Sequence, residues 1–319
     1  MKKKTIRAAV IAVVLILLFF AGPKTKIDLQ IRTIDLPADL DQYLAQSEAK
    51  YSDIIPGAEK TIIWANATKT RSPLSIIYLH GYSATRQETV PLSDKLAAQL
   101  GANLFYTRLS GHGRSNAAMA EPTVNDWFND ATEALEIGKQ LGEKVIVIGT
   151  STGGTLATWL AEQPNTDAVL AYVMISPNFA PRDSNAEILT LPWAQQFAPL
   201  LLGSEYSWTP QNAGHAQYWI HSYPSTALVT MMGMVKFVRE SDLESIEKPV
   251  LLIYSPNDQV VNSAEVERRF KQIGSDIKEI QPILDSGNPE NHVLAGNILA
   301  PNNTEVVKEL ILDFISRLQ

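Results

Sequence analysis

One serine, placed between an apolar strand-like run and a helical stretch, constrains the fold of this chain more than any other feature. Ser151 stands in the Gly-x-Ser-x-Gly pattern of residues 149–153, directly after the β-branched run 145–148. A serine in this setting lies on a tight strand-to-helix turn, where the flanking glycines leave room for neighbouring backbone. The helix that follows points its first amide groups at the serine. We therefore predict that Ser151 is a catalytic nucleophile.

Strand-like and helical patterns alternate along most of the chain. Apolar runs indicate strands at residues 61–65, 75–79, 102–106, 145–148, 171–175 and 249–254, and helical patterns lie at 92–100, 124–141 and 156–163. A chain of 319 residues with 45% hydrophobic content is long enough to bury one large core. The alternation predicts an α/β fold with a mostly parallel central sheet and helices on both faces.

The segment at about 178–247 breaks this alternation. It contains prolines but no clear strand, and it is rich in aromatic residues and methionine: Trp193, Phe197, Trp208, Trp219, Met231, Met232, Met234 and Phe237. We predict an inserted helical cap above the strand ends, whose apolar side chains line a substrate pocket. A second layer of ordinary core is the alternative. A pocket lined by apolar side chains favours a substrate that carries an apolar portion.

The amino terminus has the pattern of an export segment. Four basic residues precede the apolar stretch 8–21, but Ala21 lacks the small partner two positions earlier that cleavage favours. We predict that residues 1–22 form an uncleaved anchor in the inner membrane, with the catalytic domain on the periplasmic side. Cleavage of a signal peptide and secretion is the alternative. Residues 23–58 then form a linker that docks onto a domain at 59–319.

Composition and spacing exclude several kinds of site. The chain has no cysteine, which excludes disulfides, thiolate metal sites and a cysteine nucleophile. Its net charge of −7 disfavours nucleic acid as a partner. The five histidines lack the spacing of metal ligands, and the glycines around Ser151 lack the lysine of a phosphate-binding loop. We predict no metal, and the oligomeric state stays open.

A serine hydroxyl needs a base within hydrogen-bond reach, and that base needs a carboxylate to orient it. Asp258 follows the strand at 250–254, and His292 follows another strand-like run at 279–284. Loops at the carboxyl ends of parallel strands meet at one edge of the sheet. We therefore predict that Ser151, His292 and Asp258 form a catalytic triad. Asp285 is the alternative acid, and the histidines in less suitable places are His80, His112, His215 and His221.

The tetrahedral intermediate of acyl transfer needs two preorganised hydrogen-bond donors for its oxyanion. The backbone N–H of Thr152, directly after the nucleophile, is the first predicted donor. The loop at residues 79–85 follows an early strand, and we predict the backbone N–H of Tyr82 as the second donor. Gly81 lets this loop approach the site closely.

Taken in chain order, these motifs identify a resemblance. Over residues 60–319 the chain resembles the α/β-hydrolases. The motifs that carry this resemblance are His80-Gly-Tyr, the Leu-Ser-Gly-His-Gly-Arg-Ser segment 109–115, the pattern 149–153, Ser-Pro-Asn-Asp at 255–258 and His292. Within them, the chain is similar to bacterial carboxylesterases and monoacylglycerol lipases related to serine aminopeptidases. The resemblance implies the α/β-hydrolase fold with a cap, no cofactor, and a role for 109–115 in shaping the site.

Two residues beside the nucleophile depart from this branch. Thr150 and Thr152 stand where many relatives have histidine and methionine. Both flank the predicted acyl site without belonging to the triad. The resemblance therefore implies the reaction and leaves the substrate open.

The combined interpretation is a serine hydrolase that cleaves small-molecule carboxylic esters with an apolar portion, through an acyl-enzyme on Ser151. Amide or peptide hydrolysis by the same triad is the first alternative, with Glu187, Glu205 or Glu240 available in the cap to hold a free amino terminus. The second alternative is a membrane-tethered binding protein that keeps the fold without catalysis. The ester preference, the acyl chain length and the alcohol portion are left open by the sequence.

Overall fold

The computed structural model describes residues 2–318, and its strands form a central sheet and a small hairpin. The strands are β1 (Thr61–Ile63), β2 (Ser72–Leu79), β3 (Asn103–Tyr106), β4 (Gly142–Thr150), β5 (Val169–Ile175), β6 (Glu205–Ser207), β7 (Ser222–Pro224), β8 (Val250–Tyr254) and β9 (Lys278–Pro282). Within the described residues the central sheet has seven strands, in the order β1-β3-β2-β4-β5-β8-β9. Strand β1 is antiparallel to β3, and the other neighbours are parallel. The mostly parallel sheet predicted from the sequence is confirmed.

Helices cover both faces of this sheet, as the sequence predicted. The α-helices of the described residues are α1 (Lys2–Phe20), α2 (Leu40–Glu48), α3 (Leu92–Leu100), α4 (Val124–Leu141), α5 (Thr152–Ala161), α6 (Ala194–Leu202), α7 (Ala213–Tyr218), α8 (Thr226–Arg239), α9 (Ser263–Gln272) and α10 (Thr304–Ser316). Successive side chains of a strand point to opposite faces. Accordingly, Val145 and Val147 of β4 belong to the core cluster that includes residues of α4, α5, α8 and α9, while Ile146 and Ile148 belong to the cluster that includes residues of α3 and α10.

The parallel register brings the loops that carry the predicted triad to one edge of the sheet. Strands β4, β5, β8 and β9 are successive neighbours, and all run in the same direction. The segments that follow β4, β8 and β9 therefore leave the sheet at the same edge, and they contain Ser151, Asp258 and His292 respectively. This edge is where ligands bind in open α/β sheets.

Residues 176–249, between β5 and β8, form a layer that is mainly helical. Helices α6, α7 and α8 belong to it, and so does the hairpin in which β6 pairs with β7. The sequence indicated no strand in this part of the chain. Each hairpin strand has only three residues, and β6 is exposed along its whole length, so no alternation of apolar and polar residues marks it.

The amino-terminal helix α1 is separate from the core. Its apolar side chains, such as Leu15 at 60% and Leu17 at 63% exposure, face outward. Within residues 2–318, no helix combines the length and the apolar content that crossing a membrane requires. The membrane anchor that the sequence predicted at residues 1–22 stays a prediction.

The segment after α1 packs onto the sheet domain through α2. Leu40 and Leu44 of this helix belong to the main hydrophobic core. Glu48, at its carboxyl end, accepts two hydrogen bonds of 2.8 Å from the guanidinium group of Arg108. Both side chains of this ion pair are nearly buried. The pair holds α2 against the chain segment that leads into residues 109–115.

Candidate active site

Ser151 occupies a strained turn between β4 and α5. Its backbone angles are φ 53° and ψ −117°, a region that non-glycine residues rarely adopt. Three backbone hydrogen bonds hold it there, because its N–H donates to Ile175 and its carbonyl accepts from Thr155 and Asn178. Such strain persists only where the surrounding structure enforces it, and it is concentrated at functional sites.

The two glycines of the pattern are required by close backbone contacts. A Cβ atom on Gly149 would lie 2.3 Å from the carbonyl oxygen of Gly153, and one on Gly153 would lie 2.0 Å from the carbonyl oxygen of Leu79. No side chain fits at either distance. The second contact also brings the end of β2, and the loop after it, directly against the turn that carries Ser151.

The structure joins two of the three predicted triad residues by a hydrogen bond. The Nδ1 atom of His292 lies 2.8 Å from Oδ2 of Asp258, and both side chains are buried. The other oxygen, Oδ1, accepts from the backbone N–H groups of Val260 and Val261 at 2.7 and 2.9 Å. These bonds fix the carboxylate, and the carboxylate fixes the proton on Nδ1, so that Nε2 carries the lone pair.

The charge of the imidazole is set by its neighbours. Burial disfavours the protonated ring, but the negative charge of Asp258 and the hydrogen bond to it outweigh burial and raise the pKa of His292. Smaller contributions in the same direction come from Glu88 and Glu290. A base with a raised pKa accepts a proton from a serine hydroxyl more readily.

The alternative acid, Asp285, lies elsewhere. It is exposed, and its Oδ1 atom accepts from the backbone N–H of Gly287 at 2.8 Å, a contact within its own turn. The carboxylate that contacts the imidazole of His292 is that of Asp258. Of the two acids that the sequence left open, the structure brings Asp258 to the histidine.

The loop after β2 is held in place from several sides. The Nδ1 atom of His80 lies 2.9 Å from the carbonyl oxygen of Gly81. The Nε2 atom of the same ring accepts a hydrogen bond of 3.0 Å from the backbone N–H of Leu109. Burial lowers the pKa of His80 well below its ordinary value, which keeps the ring neutral. A Cβ atom on Gly81 would lie 3.2 Å from Cβ of Ser151. The loop that contains Tyr82 thus lies beside the nucleophile, as an oxyanion-binding loop requires.

The segment 109–115 packs under this loop. The ring of His112 lies 5.2 Å from that of His80, 5.5 Å from that of Tyr82 and 5.9 Å from that of Trp127, measured between centroids. Burial lowers the pKa of His112 to about 4, so this ring is an uncharged packing element. Its position agrees with the role in shaping the site that the resemblance implies.

Ser151 and His292 open into one cavity of about 960 Å³ between the sheet and residues 176–249. Among the described residues, no hydrogen bond joins the side chains of Ser151 and His292. Catalytic hydrogen bonds are often long in a protein without substrate and tighten on binding. The cavity wall includes Leu189, Leu202, Leu228, Met231, Met232 and Trp219.

One buried acid at the site has no counterpart among the predicted residues. Glu88 lines the same cavity, and its Oε2 atom accepts from the backbone N–H of Gly81 at 2.8 Å. In the sequence it stands in a polar loop, where a glutamate is normally solvated. No motif or spacing distinguishes it there.

The comparison with known families agrees with this geometry. Residues 71–284 match the family described as "Serine aminopeptidase, S33". The chain belongs to this family. The resemblance to α/β-hydrolases that the motifs indicated is thereby confirmed.

Individual relatives of this S33 family member are lipolytic enzymes. The chain is 27% identical over 228 residues to a thermostable monoacylglycerol lipase of Bacillus sp. (strain H-257), which covers 67% of this chain and 82% of that one. A structure from the metagenome-derived lipolytic enzymes LipS and LipT has a TM-score of 0.67 at 24% identity and covers 83% and 99%. The monoacylglycerol lipase of Paleococcus ferrophilus has a TM-score of 0.59 at 17% identity and covers 82% and 100%. The two structures share the α/β-hydrolase fold with this chain.

Proposed function

We propose that this protein is a serine hydrolase of carboxylic esters. The observation that carries the proposal is the buried hydrogen bond between His292 and Asp258, at the cavity into which Ser151 opens from its strained turn. The similarity to a monoacylglycerol lipase supports an ester as the substrate. We assign Ser151 as the nucleophile, His292 as the general base and Asp258 as the carboxylate that orients the base.

The reaction proceeds in two halves. His292 Nε2 takes the hydroxyl proton of Ser151 while the serine Oγ bonds to the ester carbon, and the carbonyl oxygen becomes an oxyanion. Backbone N–H groups of Tyr82 and Thr152 stabilise that oxyanion. The intermediate then expels the alcohol, which takes the proton from His292, and the acyl group stays on Ser151. In the second half, water gives a proton to His292 while its oxygen bonds to the acyl carbon. The bond to Ser151 Oγ then breaks, His292 returns the proton to that oxygen, and the carboxylic acid leaves.

The cavity favours an ester with an apolar acyl portion. Its walls are formed largely by aliphatic, methionine and aromatic side chains of residues 176–249. Each buried methylene of an acyl chain contributes about 0.8 kcal/mol of transfer free energy. Esters of medium chain length therefore fit this site better than acetate esters, and monoacylglycerols belong to the class.

Peptide hydrolysis is not favoured by the three glutamates that the sequence offered for binding an amino terminus. Glu187 lines the cavity, but its carboxylate is paired with the guanidinium group of Arg239 at 2.5 and 3.0 Å. Glu205 accepts from the hydroxyl of Ser222, and Glu240 faces Lys236. Of these three acids only Glu187 lines the cavity, and its charge is paired with that of Arg239.

The test is hydrolysis of p-nitrophenyl acetate, butyrate and octanoate by the wild type and by Ser151→Ala. The variant is expected to lose at least about 1,000-fold in kcat, because no nucleophile remains. The matched control is Ser245→Ala, an exposed serine that does not line the cavity, which is expected to keep wild-type rates. Equal rates for wild type and Ser151→Ala would contradict the proposal.

The compartment remains a prediction from the amino-terminal sequence. We propose that the chain functions outside the cytoplasm, on the basis of the basic residues and the apolar stretch 8–21. Fractionation of cells that produce the full chain tests this. Recovery of all activity with the cytoplasmic fraction would contradict it.

A further inference from the structure

Glu88 is a buried carboxyl group beside the nucleophile, and the relay of Ser151, His292 and Asp258 does not use it. It ends the short 3₁₀ turn Arg86–Glu88 and is 2% exposed. It nevertheless lines the cavity into which Ser151 and His292 open. A buried carboxyl group is costly unless hydrogen bonds compensate the lost hydration. Its partners therefore indicate what it does.

The first partner of Glu88 is the loop at residues 79–85, called the oxyanion loop below because it contains the predicted oxyanion donor Tyr82 N–H. The backbone N–H of Gly81 donates to Oε2 of Glu88 at 2.8 Å. A Cβ atom on Gly81 would lie 2.5 Å from Oε1 of Glu88 and 3.2 Å from Cβ of Ser151. The carboxyl group of Glu88 and the side chain of Ser151 are thus both close to Gly81. Because Gly81 N–H is bound to Glu88, it is not available to a substrate oxyanion, and Tyr82 N–H is the next amide in the loop.

The second partner links the same carboxyl group to the nucleophile turn. The hydroxyl of Tyr78 lies 2.9 Å from Oε2 of Glu88 and 3.1 Å from Oγ1 of Thr150. A tyrosine hydroxyl has one hydrogen, so when it donates to Glu88 it accepts from Thr150. The chain of hydrogen bonds then runs from Thr150, directly before Ser151, through Tyr78 and Glu88 to Gly81. This contact gives the hydroxyl of Thr150 a partner.

We propose that Glu88 is a positioning residue, which holds the oxyanion loop through Gly81 N–H so that Tyr82 N–H faces the developing oxyanion at Ser151. The inference rests on the proposed ester hydrolysis. Glu88 bonds no substrate atom in this role. It fixes the position of Tyr82 N–H, and this donor stabilises the oxyanion most when it is in place before the charge develops.

The chemistry of the carboxylate suits this role. A hydrogen bond from a backbone N–H to an ionised carboxylate is shorter and stronger than one between neutral groups. Burial raises the pKa of Glu88 to about 7, although the hydrogen bonds from Gly81 and Tyr78 and the charge of His292 oppose that rise. At pH 8 the carboxylate form therefore predominates. Assays at that pH compare variants with the ionised wild type.

The test compares three substitutions at this position by p-nitrophenyl butyrate hydrolysis at pH 8. Glu88→Ala removes the acceptor, and Glu88→Asp shortens the side chain so that it no longer reaches Gly81. Both are expected to lower kcat about 10- to 100-fold with KM changed less than about threefold. Glu88→Gln keeps an oxygen that accepts from Gly81 N–H and is expected to stay within about fivefold of wild type. The control is Gln87→Ala on the same turn, whose side chain contacts Gly57, with wild-type kinetics expected.

A trifluoromethyl ketone supplies a readout that general loss of structure does not give. Its adduct with Ser151 places a negative oxygen in the oxyanion site. Its Ki is expected to rise in Glu88→Asp in parallel with the loss of kcat/KM, while the melting temperature stays close to that of Gln87→Ala. Wild-type kcat in Glu88→Ala or Glu88→Asp, an equal loss of kcat in Glu88→Gln and Glu88→Asp, or an unchanged Ki would overturn the inference.

The two proposals fail in different ways. If the wild type does not cleave the ester, or Ser151→Ala cleaves it equally well, the proposed function fails. If the wild type is active through Ser151 and all Glu88 variants keep its kcat, only the positioning role fails.

Discussion

Ser151 shows how a single residue is prepared for chemistry by the backbone around it. A non-glycine residue at φ 53° costs on the order of 1–3 kcal/mol. The hydrogen bonds of its N–H to Ile175 and of its carbonyl from Asn178 tie the turn to β5 and the segment after it. The strain therefore does not relax by local movement. It keeps the hydroxyl above the edge of the sheet, in the cavity shared with His292.

At the same scale, the pH dependence of the reaction reports on His292. The base has to be neutral, so kcat/KM falls as pH drops through the pKa of His292, which is raised above the ordinary value of 6.5. The acids that face the ring are Asp258, Glu88 and Glu290. Glu88 carries its negative charge mainly above its own pKa of about 7. In Glu88→Gln that charge is absent at every pH, so the protonated ring of His292 is stabilised less. The midpoint of the acid limb is therefore expected to move to lower pH.

A profile of kcat/KM between pH 5 and pH 9 measures this shift. The control is Glu309→Gln on the exposed side of α10, which is expected to leave the midpoint unchanged. A midpoint that stays in place or rises in Glu88→Gln would mean that the carboxylate of Glu88 does not act on His292.

At the scale of elements, the turn between β4 and α5 depends on close backbone contacts. In Gly149→Ala the new Cβ would meet the carbonyl of Gly153 at 2.3 Å. We expect the free energy of unfolding to fall by about 3 kcal/mol and the activity to be lost, because neither backbone can move without opening the turn. Thermal or urea unfolding, together with ester hydrolysis, measures both effects.

Gly101, at the carboxyl end of α3, is the matched control for this substitution. It has φ +60° and open space around it, so Gly101→Ala carries only the cost of a left-handed alanine, about 1 kcal/mol. Activity is expected to persist. Equal destabilisation by the two substitutions would show that the contact with Gly153 does not limit the turn.

The elements differ in how well the sequence predicts them. Strands β4 and β8 are predictable because both are buried runs of apolar residues, and an interior parallel strand has no polar face. The hairpin of β6 and β7 is not predictable, because its strands are short and partly solvated. The loop after β2 is predictable as an oxyanion loop from its glycine. The partner that holds it, Glu88, is not, since its burial depends on how the turn at 86–88 packs on the finished fold.

At the scale of the molecule, the order of the parallel strands converts distant sequence positions into one site. Ser151, Asp258 and His292 are predictable as neighbours because the strands before them end at the same edge. The choice of Asp258 over Asp285 is not predictable from order alone, since both acids follow strands. It is the hydrogen bonds from Val260 and Val261 that orient Asp258 toward the imidazole.

The prediction for the amino-terminal segment depends on its own composition and not on strand order. The apolar stretch 8–21 predicted an anchor from composition, whereas no helix within residues 2–318 has the length and apolar content for a membrane span. Basic residues occupy the first part of α1 and shorten its apolar portion. The anchor at residues 1–22 therefore stays a prediction from the sequence.

Covalent labelling with a fluorophosphonate tests most directly whether the elements converge on one activated hydroxyl. Intact-mass measurement followed by peptide mapping counts the phosphonyl groups and locates them. Activation of Ser151 by His292 and Asp258 predicts one group per chain, on Ser151, and none on Ser151→Ala. A folded wild type that stays unlabelled, or a Ser151→Ala variant that is labelled as fast as the wild type, would contradict it.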